Sequence, residues 1–143
     1  MANVVDITRS KVQKYLTDML GSVTIDKDGD FTIQQGSTMV FIRVVPWRDG
    51  ESAVVSVFAP VLLEVQPSPA LHQYIAENDY VFGNLTLEAG EHGTQTLMFG
   101  HRLLGDFLDP AELESAVGAV AFTADDLDDE LQPRFGGSKM LED

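Results

Sequence analysis

The sequence predicts an α+β domain built on an antiparallel sheet, with elements in the order helix, four strands, helix, two strands, helix. Three observations carry this. Apolar residues recur at helical spacing in three separate stretches, at about 9–20, 69–78 and 110–131. Between the first two, residues 23–63 alternate with a period of two and are interrupted by short polar turns. A second strand pair, 84–88 and 94–104, lies between the last two helices. Strands joined by tight turns pair antiparallel, because parallel neighbours need a long crossover between them.

Residues 1–7 read as a short leader. In the first helix Val12, Tyr15, Leu16, Met19 and Leu20 form one stripe, with Thr8 or Ser10 as cap and Gly21 as terminator. Segments 23–25 and 31–33 flank Asp28-Gly29, a hairpin turn signal. Gln35-Gly36-Ser37 marks the next turn, and 38–45 is rich in β-branched and aromatic residues. Pro46 and Arg48-Asp49-Gly50 break that strand, and 53–58 follows. Pro60 is expected to close the run or to confine its end to an edge.

Residues 66–69 link to the second helix, where Ser68 caps, Pro69 occupies the first turn, and Leu71, Tyr74 and Ile75 face inward. A turn through 90–93 joins the second strand pair. Asp109 as cap, Pro110 at the first helical position and Glu112 at the third start the last helix. Its apolar face is Leu113, Ala116, Val117, Val120, Ala121, Leu127 and Leu131. The expected domain is therefore 8–131. Residues 132–143, with Pro133 and Gly136-Gly137, are expected to be a mobile C-terminal tail.

At 143 residues and 44% hydrophobic content, the chain suits one domain with one core. Twenty-three acidic residues against nine basic ones give a net charge of -14, which opposes nucleic-acid binding and attachment to anionic membranes. Without cysteine, disulfides, thiolate nucleophiles and zinc–thiolate sites are ruled out. The sequence shows neither a bilayer-length apolar run nor a signal-peptide core, so a cytoplasmic protein without membrane insertion is expected.

Strand alternation also sorts residues by face. Val40, Ile42, Val44, Val55 and Val57 form one apolar face. The other mixes Arg43 and Ser56 with Met39, Phe41, Val45, Val54 and Phe58, where a solvated sheet would show a polar row. Two arrangements satisfy this pattern: the helices divide over both faces, or an apolar patch remains for a second subunit or a peptide. Under the second, Phe41, Phe58 and Trp47, the only tryptophan, are the candidate partner-binding residues.

Asp26, Asp28, Asp30 and Gly29 suggest a calcium loop, but from Asp26 the glycine position falls on Phe31 and the glutamate position on Ser37. A polar hairpin tip accounts for them better. Asp125, Asp126, Asp128, Asp129 and Glu130 crowd the expected C-terminal end of the last helix, where they oppose its dipole. They are either a solvated face or a contact for a basic partner. His72, His92 and His101 lack ligand spacing, and neither Gly-x-Ser-x-Gly nor a phosphate-binding glycine loop occurs. The expectation is a non-enzyme with no cofactor and no metal.

The Asp28-Gly29-Asp30 hairpin, the strand at 38–45, Phe82-Gly83-Asn84-Leu85 and Leu108-Asp109-Pro110-Ala111-Glu112-Leu113 carry a resemblance, as does the run Ala124-Asp125-Asp126-Leu127-Asp128-Asp129-Glu130-Leu131. Over residues 8–131 the chain resembles the type III secretion chaperone-like superfamily, in the branch that includes YbjN proteins and actinobacterial members. The resemblance implies a secretion-chaperone-like fold and a homodimer. It also implies a non-catalytic chaperone or adaptor that holds client polypeptide segments on apolar sheet or helix surfaces, in some members for secretion. The alternative it implies is a YbjN-like regulatory protein acting on a signalling or stress-response partner.

Overall fold

The computed structural model describes residues 3–141. Its elements are α1 (Val4–Leu20), β1 (Thr24–Ile25), β2 (Phe31–Gln35), β3 (Thr38–Trp47), β4 (Ser52–Val65), α2 (Pro69–Glu77), β5 (Asn84–Ala89), β6 (Gln95–Leu104) and α3 (Pro110–Phe135). All six strands form one antiparallel sheet in the order β1-β2-β3-β4-β6-β5. The first four make a meander. The chain then leaves through α2 and returns as a hairpin whose second strand docks on the free side of β4, which makes β4 central.

Three boundaries differ from expectation. Residues 4–7 of the expected leader are helical, because Asn3 accepts a hydrogen bond from the Asp6 N–H at 2.8 Å and caps α1 ahead of Thr8; residues 1–2 lie outside the described residues. Thr8 is instead buried within the helix. β4 does not end at Pro60 but runs to Val65, with the register breaking on both sides of Leu62. Proline has no N–H for the ladder, and an irregularity of this kind lets a central strand accommodate it. Thr38 Oγ1 donates to the Pro60 carbonyl at 2.7 Å.

The last helix continues through Pro133 to Phe135 rather than stopping at 131. Its final turn is held by aromatic packing: the Tyr74 and Phe135 rings meet edge-on at 5.8 Å, with the Arg134 guanidinium 5.0 Å from each. This packing offsets the hydrogen bond that Pro133 cannot donate. Beyond Gly136, Ser138 exchanges two backbone hydrogen bonds with Leu63, at 2.7 and 2.8 Å, and Leu141 N–H donates to the Ser37 carbonyl at 2.9 Å. Gly137, at φ 76°, makes this return possible, since a Cβ there would press on the Leu63 carbonyl.

All three helices contribute to a single core. Val12 and Leu16 of α1, Leu71 of α2, and Leu113, Val117, Val120, Ala124, Leu127 and Leu131 of α3 pack with Phe31, Val40, Ile42, Val55, Val57, Ala59, Val61, Leu85, Leu97 and Phe99. Each large side chain removed from water in this way contributes roughly 1.5–3 kcal/mol. Every sheet residue in this cluster points to the same side. None of the residues from the opposite face belongs to it.

Candidate functional site

Of the two arrangements the sequence left open, the described helices adopt one side of the sheet only, and no described helix covers the other, where Met39, Phe41, Val45, Val54 and Phe58 are half-buried among their neighbours. Register places its side chains in rows. Thr32, Phe41, Phe58, Gly100 and Asn84 lie side by side across five strands. Arg43, Ser56 and Arg102 form the next row, and Val45, Val54 and Leu104 the one after.

Phe41 and Phe58 stack with centroids 5.4 Å apart and planes within 14°. The Arg43 guanidinium lies 5.1 Å from the Phe58 ring and donates from Nε and Nη2 to the two carboxylate oxygens of Asp30, at 2.9 and 2.7 Å. Asp30 is 3% exposed, and its hydrogen bond pushes the Arg43 pKa upward, so this charge is permanent and already engaged. Asp26 shapes the preceding turn by accepting from the N–H groups of Asp28 and Asp30, both at 2.9 Å. Asp26 is thus used in turn geometry and Asp30 in the Arg43 pair. Among the described residues no group of three or more acidic or histidine side chains is placed to hold a metal ion.

Gly100, opposite Phe58, contributes no side chain, so the face dips there into a cleft of about 390 Å³. Met98, Phe58 and Gly100 supply apolar surface, Arg43 and Arg102 one polar wall, and Thr86 and Glu88 the other. Met98 is 7% exposed and forms a floor.

Of the three residues singled out by strand parity, the structure brings Phe41 and Phe58 together. Trp47 shares their face but ends β3, six residues (about 20 Å of strand) from Phe41. It is 51% exposed, with the Arg48 guanidinium 5.7 Å from its ring. Sequence reasoning missed Met98, Gly100 and Arg102. Their alternation was readable in β6, but nothing local says that β6 docks beside β4.

A second cleft, of about 330 Å³, lies on the helix side, between Phe82, His101 and Leu103 and the first turns of α3 at Ala111, Glu112 and Ser115. Phe82 meets His101 edge-on at 5.8 Å. Val81, Phe107 and Phe122 are also largely exposed apolar side chains.

The described elements thus form a three-helix layer on one side of a six-stranded antiparallel sheet. The chain belongs to the family described as T3SS (YopN, CesT) and YbjN peptide-binding chaperone 1 (TY-Chap1), whose model matches residues 6–143. Solved structures share the fold at low identity. The Yersinia pestis type III secretion chaperone SycH, in complex with a stable fragment of YscM2, matches at 13% identity with a TM-score of 0.55, over 84% of this chain and 98% of that one. The ExsC–ExsE complex matches at 14% identity and TM-score 0.59, over 90% and 96%. YbjN of E. coli, described as a putative transcription regulator, matches at 12% and 0.58, over 91% and 96%. No curated protein sequence matches the chain. No helix among the described residues is long and apolar enough to cross a membrane.

Proposed function

We propose that this protein is a non-catalytic, cytoplasmic polypeptide-binding chaperone or adaptor that works as a homodimer and buries client side chains on the open sheet face around Phe41 and Phe58. The observation that carries the reading is that face: stacked aromatics, Met98 and a cleft, left uncovered by every helix among the described residues. Covering one such aromatic contributes roughly 1.5–3 kcal/mol, so a few contacts suffice for a reversible complex. Membership in a family of peptide-binding chaperones supports it. So do the polypeptide-bound states of two structural neighbours, in which SycH holds a fragment of YscM2 and ExsC is paired with ExsE. The exposed aromatics of the helix side, Phe82 and Phe122 among them, are the surface left for self-association. The likeness to YbjN favours a second reading, a regulatory protein with one defined partner.

A photo-crosslinking residue in place of Phe41, expressed in the native host, tests this together with solution mass by light scattering. Capture of many polypeptides, lost in a folded Phe58→Glu variant, is the expected result. One stoichiometric partner selects the regulatory reading. Capture and mass both unchanged in Phe58→Glu would overturn the assignment of this face.

A further inference from the structure

Arg102 is the unusual residue of the open face. The chain has 23 acidic side chains and nine basic ones, yet among the described residues no hydrogen bond or ion pair engages the Arg102 guanidinium. Arg43, two strands over beyond Ser56, is already held by both oxygens of Asp30. Arg48 lies over Trp47 at the end of the same face. A protein of net charge -14 therefore shows basic groups on this uncovered sheet face, where Glu88 is the acidic strand residue in regular register. Arg102 and Glu88 stand on the rim of the cleft whose floor is Met98, Phe58 and Gly100.

Resting on the reading of this face as the client surface, we propose that its occupant is an amphipathic client helix that carries a carboxylate within its apolar stripe, and that Arg102 is the residue that reads that carboxylate. The planar guanidinium offers paired N–H donors matched to a carboxylate, and its exposure beside apolar surface keeps the desolvation cost low until the helix covers it. The helical form follows from the backbone. Strand N–H and C=O groups are consumed in the ladder, so a segment lying across the face must satisfy its own, as a helix does. Six strands span about 24 Å, the length of about 16 helical residues. Charge also argues against a second copy as occupant, since its matching face would bring Arg48 and Arg102 again and, among the described residues, no unpaired strand carboxylate in regular register but Glu88 to meet them.

The test uses three fluorescein-labelled helical peptides of about 16 residues. Each has leucine and alanine on one face and glutamine and serine on the other; they differ only in Glu, Gln or Lys at the centre of the apolar face. Anisotropy titrations are run with the full chain, Arg102→Gln and Phe58→Glu. The expected result is about tenfold tighter binding of the Glu peptide than of the Gln peptide. Arg102→Gln removes that preference and leaves the Gln peptide unaffected. Equal binding of Glu and Gln peptides, both lost in Phe58→Glu, would overturn the proposal while leaving the client face intact. Tightest binding of the Lys peptide would overturn it as well. Binding of none would remove both the proposal and the reading beneath it. A dimer that dissociates in Phe58→Glu would make a second copy the occupant and overturn it too.

Discussion

The Ser37 hydroxyl donates to Oδ2 of Asp128, a residue 91 positions further along the chain. Ser37 N–H donates in turn to Oδ1 of Asp125 at 3.0 Å. The β2–β3 turn is thereby fastened to the inner side of α3, and the turn is cut to fit: a Cβ on Gly36 would collide with the Asp125 carboxylate. The acidic run is therefore not simply a solvated helix end. Two of its members face inward, and because α3 continues to Phe135 they sit ahead of the last turn, not in it.

Asp128 is wholly buried, and its Oδ1 has no hydrogen-bond partner. Burial is the main cause that pushes its pKa above 3.8, with Asp125 and Asp129 adding to the rise and Ser37 and Lys139 opposing it. A carboxyl raised in the folded state costs nothing below about pH 3.8, then destabilises progressively as pH climbs through its folded value. Asp128→Asn keeps an oxygen for Ser37 and removes the titration. In urea unfolding at a series of pH values from about 4 to 7.5, the variant should gain stability relative to the native chain as pH rises. A difference independent of pH would refute the burial argument.

The Arg43–Asp30 pair is asymmetric: the arginine side chain is 49% exposed, the aspartate 5%. Removing one partner should therefore not equal removing the other. Arg43→Ala leaves a carboxylate shut away without its cation, at a cost of about 3 kcal/mol. Asp30→Ala leaves a guanidinium that water can reach, at about 1 kcal/mol. Because the two share one interaction, the double variant should lose less than the two single losses added together. Chemical denaturation of the three variants measures this, and equal single losses would show that Asp30 is better solvated than its burial says.

Much of this was legible from spacing alone. Asp109-Pro110 and Ser68-Pro69 mark their helix starts because caps are local, and Asp28-Gly29 marks its hairpin for the same reason. The parity of Phe41 and Phe58 placed them on one face, and antiparallel register then stacked them. What local pattern does not carry is partnership between distant elements. Pro60 reads as a stop until the register irregularity around Leu62 lets β4 run on, and Pro133 reads as a helix end until Tyr74 packs on Phe135. Local pattern says nothing about Arg102, because the neighbour that gives it meaning, Ser56 of β4, is some 45 residues away. The side on which α1, α2 and α3 gather was equally hidden, and with it the face they leave uncovered.

Gly100 provides the most direct test of where a client enters. Its backbone is ordinary strand, paired with Phe58 on one side and Asn84 on the other, so glycine is not needed for conformation. A Cβ there would stand 3.4 Å from the Phe58 Cβ, close but compatible with a small movement of that half-buried side chain. Gly100→Leu should fold, with melting within a few degrees of the native protein or above it, because a strand interior favours a branched side chain over glycine. The same leucine would fill the cleft between Met98, Phe58 and Arg102. Peptide binding, read by the same anisotropy titration, should weaken at least about tenfold. If a folded Gly100→Leu binds as the native chain does, the occupant does not use this cleft, and the site must be sought along the edge strand β5 or around Phe82 on the helix side.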